Sequence, residues 1–186
     1  MLNKKNIVVL TLAAVAAVLL LASSSAQSGA QASKLEGVWT ASISGTPFHW
    51  TYTFTPTDPS GRKAVLHGEF TVPVPAAAWG APTSEYLTSF YGEGEMTGPD
   101  SVTATVMWYG MRTGADGRPE IIYIGISVSE GKFLGPNKLE VQHRLAYYAP
   151  TPTGQVTSED EPLGVSPIVT SIDQRMSAIP VTGVSQ

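Results

Sequence analysis

Residues 48–55 read Phe-His-Trp-Thr-Tyr-Thr-Phe-Thr, with an aromatic at every second position and a polar residue between. Successive side chains of a β-strand point to opposite faces, whereas the apolar stripe of a helix returns every three to four residues. This octapeptide is therefore a strand with one buried and one wet face. Phe48, Trp50, Tyr52 and Phe54 take the first face; His49, Thr51, Thr53 and Thr55 take the second. The run 37–43 precedes it, separated by Ser44-Gly45-Thr46-Pro47, and the two predict a first hairpin.

The rest of the chain repeats that pattern. Alternating runs at 63–72, 87–97, 101–112, 120–129, 138–148 and 174–181 read as further strands. Asp58-Pro59-Ser60-Gly61 places each residue where a type I turn prefers it. Gly98-Pro99-Asp100, Gly114-Ala115-Asp116-Gly117 and the connection 131–137 have hairpin spacings. Pro73 ends the third run, and the Pro-rich stretch 74–85 around Ala76-Ala77-Ala78-Trp79 predicts an ordered loop with room for one helical turn. Residues 149–171 form the longest irregular segment. Eight sequential antiparallel strands without a convincing helix predict an all-β fold, a single up-and-down barrel or rolled sheet over residues 35–186.

The first 26 residues are read separately. Lys4 and Lys5, an apolar run over 7–21 and the small residues Ala22-Ser23-Ser24-Ser25-Ala26 have the form of a secretory signal peptide. The run is shorter than the roughly 20 apolar residues that span a bilayer, so cleavage after Ala26 is expected and stable membrane insertion is not. Residues 27–34 read as a flexible linker. Removal of Lys4 and Lys5 lowers the basic residues from 11 to 9 against 15 acidic ones, a formal net charge of −6. Such an exported chain, periplasmic or extracellular, is a poor partner for nucleic acid or anionic membrane. Cysteine is absent, so core burial alone must stabilise the domain, and thiol chemistry and cysteine-ligated zinc are excluded.

Extending the alternation puts Trp50, Tyr52, Phe54, Phe90, Val106, Trp108, Tyr123, Val141, Leu145 and Tyr147 on the interior, with His143 among them. An eight-stranded barrel is just wide enough to be filled by side chains or to hold one small ligand. The candidate ligand-binding set is Trp50, Tyr52, Phe90, Trp108, Tyr123, His143 and Tyr147, with Trp79 over the mouth. The hydroxyls of Tyr52, Tyr123 and Tyr147 need partners if buried, and converging hydroxyls orient a ligand. The same rings also suit a filled core, and both readings stand at this level.

His49, His67 and His143 share no ligand-spaced motif, and no cofactor or metal is expected. Gly92-Glu93-Gly94-Glu95 lacks the strand-to-helix transition of a phosphate loop; its glycines fit close packing under a ring such as Trp50 or Trp108. Glu159-Asp160-Glu161 lacks the spacing of a calcium loop and reads as solvated charge.

Gly37-Val38-Trp39, at the start of the first strand, resembles the Gly-x-Trp of lipocalins and related calycin barrels. The resemblance implies a barrel with a ligand cup, closed at one end by Trp39 and by an Arg of the final strand, for which Arg175 is the match. The Thr-Asp-Tyr segment of that family is absent. The leading expectation is an exported barrel that binds a small, largely apolar molecule without catalysis. The alternatives are a surface or structural β module with a filled core, and a barrel enzyme using His143 with Tyr hydroxyls as acid or base.

Overall fold

The computed structural model describes residues 34–72 and 74–176. The expected signal peptide, residues 27–33 of the linker, Pro73 and residues 177–186 lie outside the described residues. Lys34, read as the end of the linker, belongs to the barrel: its Nζ donates to Asp100 Oδ1 at 2.7 Å and sits 5.9 Å from the Phe133 ring centre.

The aromatic octapeptide forms β2 (His49–Pro56), paired in antiparallel fashion with β1 (Gly37–Ser42) and β3 (Lys63–Phe70). A two-residue strand, β4 (Tyr86–Leu87), lies on the end of β6; β5 (Phe90–Met96), β6 (Ser101–Thr113), β7 (Pro119–Gly135) and β8 (Lys138–Tyr148) follow as a meander. A second short strand, β9 (Gly164–Val165), pairs with β8, and β10 (Val169–Arg175) pairs with both β8 and β1. That double pairing closes an eight-stranded antiparallel barrel in the order β1-β2-β3-β5-β6-β7-β8-β10. Closure removes the free sheet edges that an open eight-stranded sheet would present.

Two boundaries depart from the sequence expectation. The last strand among the described residues is 169–175, which starts five residues before the expected run 174–181, whose residues 177–181 lie outside the described residues. The backbone of β8 and β1 selects it although two of its inward residues, Ser171 and Asp173, are polar. β7 runs on through 131–135, part of the stretch 131–137 that reads as a connection in sequence, since its long pairing with β6 and β8 carries Gly131 and Phe133 inward. The Asp58 turn forms as read, Gly61 N–H donating to Asp58 O at 2.9 Å. The loop 74–85 holds one 3-10 turn, Ala76–Trp79.

The interior alternates as the pattern requires, and the large rings fit because small residues face them. Trp108 pairs across strands with Gly125 and Tyr123 with Gly110; a Cβ on Gly125 would lie 2.2 Å from the Trp108 ring and one on Gly110 2.1 Å from Tyr123. The ring over Gly94 is Phe54, not Trp50 or Trp108. A register shift after Gly110 leaves Ile122 unpaired, a bulge next to the fully buried Tyr123.

One end of the barrel is sealed. Trp39 is fully buried, donates Nε1–H to Leu35 O at 3.1 Å and meets Phe133 edge-on at 6.0 Å. Arg175, its register partner on β10, lies with its guanidinium carbon 4.9 Å from the Trp39 ring centre and donates Nη2–H to Lys34 O. A cation over an indole face at this range is attractive, and the planar guanidinium completes the seal.

Candidate functional site

At the other end, the interior opens into a cavity of about 110 Å3. Its mouth is formed by Ile43 and Phe48 of the β1–β2 turn, by Val74, Pro75 and Trp79 of the proline-rich loop, and by Val169 of β10. The walls are mainly apolar, from Trp50, Phe70, Phe90, Trp108 and Leu145. Room for it comes from β7, whose inward positions 125, 127, 129 and 131 are Gly, Ser, Ser and Gly.

Of the residues selected from sequence, Trp50, Tyr52, Phe90, Trp108, His143 and Trp79 line this cavity. Tyr123 and Tyr147 do not. Both are fully buried behind Trp108, where their rings meet at 5.4 Å nearly at right angles, so the three tyrosine hydroxyls do not converge on one ligand. Tyr123 Oη lies 3.2 Å from Ser84 Oγ under the loop. Trp108 Nε1 sits close enough to Tyr123 Oη to offset part of the burial-driven rise of its pKa, yet it lies outside hydrogen-bonding geometry. Tyr147 Oη has no partner among the described residues, and burial pushes its pKa far up. An unpartnered buried hydroxyl costs stability, so Tyr147→Phe should leave the unfolding free energy unchanged or raise it by about 1 kcal/mol. A urea titration showing a loss above that size would mean that the hydroxyl is bonded.

The polar part of the wall is one continuous chain. Tyr52 Oη donates to Asp173 Oδ2 at 2.6 Å, and Ser171 Oγ donates to Asp173 Oδ1 at 2.6 Å. His143 Nε2 meets Ser171 Oγ at 2.9 Å, His143 Nδ1 meets Ser129 Oγ at 2.9 Å, and Ser129 Oγ meets Ser127 Oγ at 3.0 Å. Four strands, β2, β10, β8 and β7, supply these groups. Tyr52 reaches β10 across β1 because the intervening inward residue, Ala41, is small and pairs with Asp173 itself.

Asp173 is 1% exposed, with no cation among the described residues against its carboxylate. Burial raises its pKa to about 6, although the Ser171 and Tyr52 hydrogen bonds pull it back. Burial also holds His143 neutral by lowering its pKa to about 4, and it raises Tyr52, with the Asp173 charge adding to the rise. The neighbouring rings reinforce the dry setting, Trp50 meeting His143 edge-on at 5.3 Å.

Ser127, Ser129, Ser171 and Asp173 escape a search for aromatics and His. The signal is in the parity: if Tyr123 faces inward, so do 127 and 129, and if Arg175 covers Trp39, then 173 and 171 follow. The other two histidines are separate. His49 is exposed at the mouth with Nδ1 2.8 Å from Pro47 O, and His67 stacks on Tyr91 outside the barrel at 4.7 Å. Asp160 accepts from the Thr157 backbone and hydroxyl, which makes it part of a surface turn.

The chain matches no protein-family model and no curated protein sequence. Two solved structures align with much of the chain. A redesigned β-barrel aligns over 78% of this chain and 95% of its own, with a TM-score of 0.46 and 14% identity. EF1p2_mFAP2b, bound to DFHBI, aligns over 77% of this chain and 94% of its own, with a TM-score of 0.44 and 12% identity.

Proposed function

We propose that this chain is an exported, lipocalin-like barrel that binds one small, largely apolar molecule in the cavity under Trp79 and does not catalyse a reaction. The observation that carries the reading is the cavity itself: the interior is sealed at the Trp39 end and hollow beneath the proline-rich loop. A core selected only for stability fills such space, because each unfilled volume forfeits contacts. The cavity, about 110 Å3, is of the order of the ~150 Å3 apolar cavity that accepts benzene. An occupant of about one ring fits, and a fatty acid or retinoid does not.

The Gly37-x-Trp39 start with Arg175 stacked on the indole supports the lipocalin-like assignment, and the N-terminal segment supports export to the periplasm or the cell exterior. The Ser129–His143–Ser171–Asp173 sequence has the parts of a proton relay, but a His with a pKa of about 4 is a weak base at neutral pH, and Asp173 reaches it only through Ser171. Those features favour orientation of a bound molecule over proton transfer.

Titrating residues 27–186 with toluene and phenol should give saturable changes in tryptophan fluorescence, and palmitate and retinol should give none. Trp79→Ala should weaken the response by about tenfold, equivalent to about 1.4 kcal/mol of lost contact. No saturable response to any one-ring compound, together with a stability loss of about 3 kcal/mol or more on Trp79→Ala, would favour a filled structural module instead.

A further inference from the structure

The inference rests on the binding reading above and concerns what the occupant must carry. Every hydrogen in the polar chain is committed in one direction. The Asp173 carboxylate only accepts, so Ser171 and Tyr52 spend their single hydroxyl hydrogens on it. Ser171 Oγ must then accept from His143 Nε2–H. A neutral imidazole protonated at Nε2 has a bare Nδ1, which must accept from the Ser129 hydroxyl. Ser129 Oγ in turn accepts from the Ser127 hydroxyl. Ser127 ends the chain on the cavity wall with its hydrogen spent and a lone pair free.

His49 also stands at the mouth. Its Nδ1–H is donated to Pro47 O. Tyr52, Ser129 and His143, which also line the cavity, have no uncommitted hydrogen. Apart from the indole N–H groups of Trp50 and Trp79, the polar wall therefore offers acceptors, with Ser127 Oγ at the end of the chain.

We propose that the molecule bound here carries a hydrogen-bond donor, a hydroxyl or N–H, on an otherwise apolar body of about one ring, and that Ser127 Oγ is the specificity-determining acceptor that reads it. Asp173, Ser171, His143 and Ser129 are positioning residues: they act through Ser127 by fixing the direction of its hydrogen. Placed against Ser127 Oγ, a carbonyl or ether of the same size meets lone pair against lone pair and is disfavoured there, because burying an acceptor without a donor forfeits its hydration.

Two measurements test this. In the wild-type protein, phenol should bind about fivefold to tenfold tighter than toluene, and benzaldehyde no tighter than toluene, the scale of one net hydrogen bond. Ser127→Ala should erase the phenol preference while toluene affinity stays within about twofold. If phenol, toluene and benzaldehyde bind alike, or Ser127→Ala leaves the preference intact, the inference fails and the binding reading survives. If none of the three binds, both fail. Nitrogen-15 NMR of the unliganded protein gives an independent readout that needs no variant: His143 should be neutral and protonated at Nε2. The Nδ1–H tautomer would mean that the chain runs the other way and would overturn the proposal.

Discussion

Asp173→Asn should make the barrel lose about 3 kcal/mol of stability between pH 6.5 and 4, and His143→Gln should make it gain about 3 kcal/mol between pH 6 and 4, while the wild type changes little. The two buried groups of the polar chain titrate in opposite senses. His143 has its folded pKa lowered from 6.5 to about 4 by burial. The unfolded chain therefore takes up this proton first. The stabilisation is complete above pH 6.5 and is lost as pH falls toward 4. Asp173 has its folded pKa raised from 3.8 to about 6, again by burial. Here the folded protein takes up the proton first, so the stabilisation is complete below pH 3.8 and is lost as pH rises through 6.

Each contribution is about 1.4 kcal/mol per pH unit over a little more than two units, and the two windows nearly coincide. They offset in the wild type and appear singly in the variants. The ionisable side chains that face Asp173 inside the barrel are Tyr52 from β2 and His143 through Ser171; from β1 it faces Ala41, and Arg175 of its own strand is turned onto Trp39. Urea unfolding of the three proteins at pH 4, 5, 6 and 7 measures the slopes. Parallel profiles for wild type and both variants would show that neither group is held away from its ordinary protonation behaviour.

Trp39→Ala should cost about 3–5 kcal/mol, the range for truncating a buried Trp, and Trp39→Phe clearly less. Four attachments go with the indole: its packing against Phe133, the Arg175 guanidinium across its face, the Nε1–H donated to Leu35 O, and full burial at the sealed end. Truncation also leaves Arg175 half-buried over a void while its Nη2 remains tied to the Lys34 carbonyl. Trp39 lies outside the cavity wall, so Trp39→Phe, which keeps an aromatic ring at the sealed end, should retain toluene affinity within about twofold. A loss of less than about 1 kcal/mol for Trp39→Ala would mean that the end is sealed by the turns and not by the indole.

The division between sequence and tertiary structure follows from these residues. Period-two alternation through 48–55 and its repeats, with turn residues such as Asp58-Pro59-Ser60-Gly61, determined by themselves an antiparallel all-β chain of about eight strands, because side-chain period and turn chemistry are local properties. The same alternation put Trp50, Tyr52, Phe90, Trp108 and His143 inside, where the barrel places them. Only tertiary structure decided that Tyr123 and Tyr147 stand behind the cavity, since that depends on the bulge at Ile122 and on which rings face Gly110 and Gly125. It also decided the last strand. Ser171 and Asp173 interrupt the apolar pattern of β10, and local reading discards such a segment; barrel closure restores it, because β8 and β1 both need a backbone partner there. The polar chain exists only after that closure, when Tyr52, Ser127, Ser129, His143, Ser171 and Asp173, scattered over some 120 residues, come within hydrogen-bonding distance. No local pattern carries that information, because it lies in the register between strands far apart in the chain.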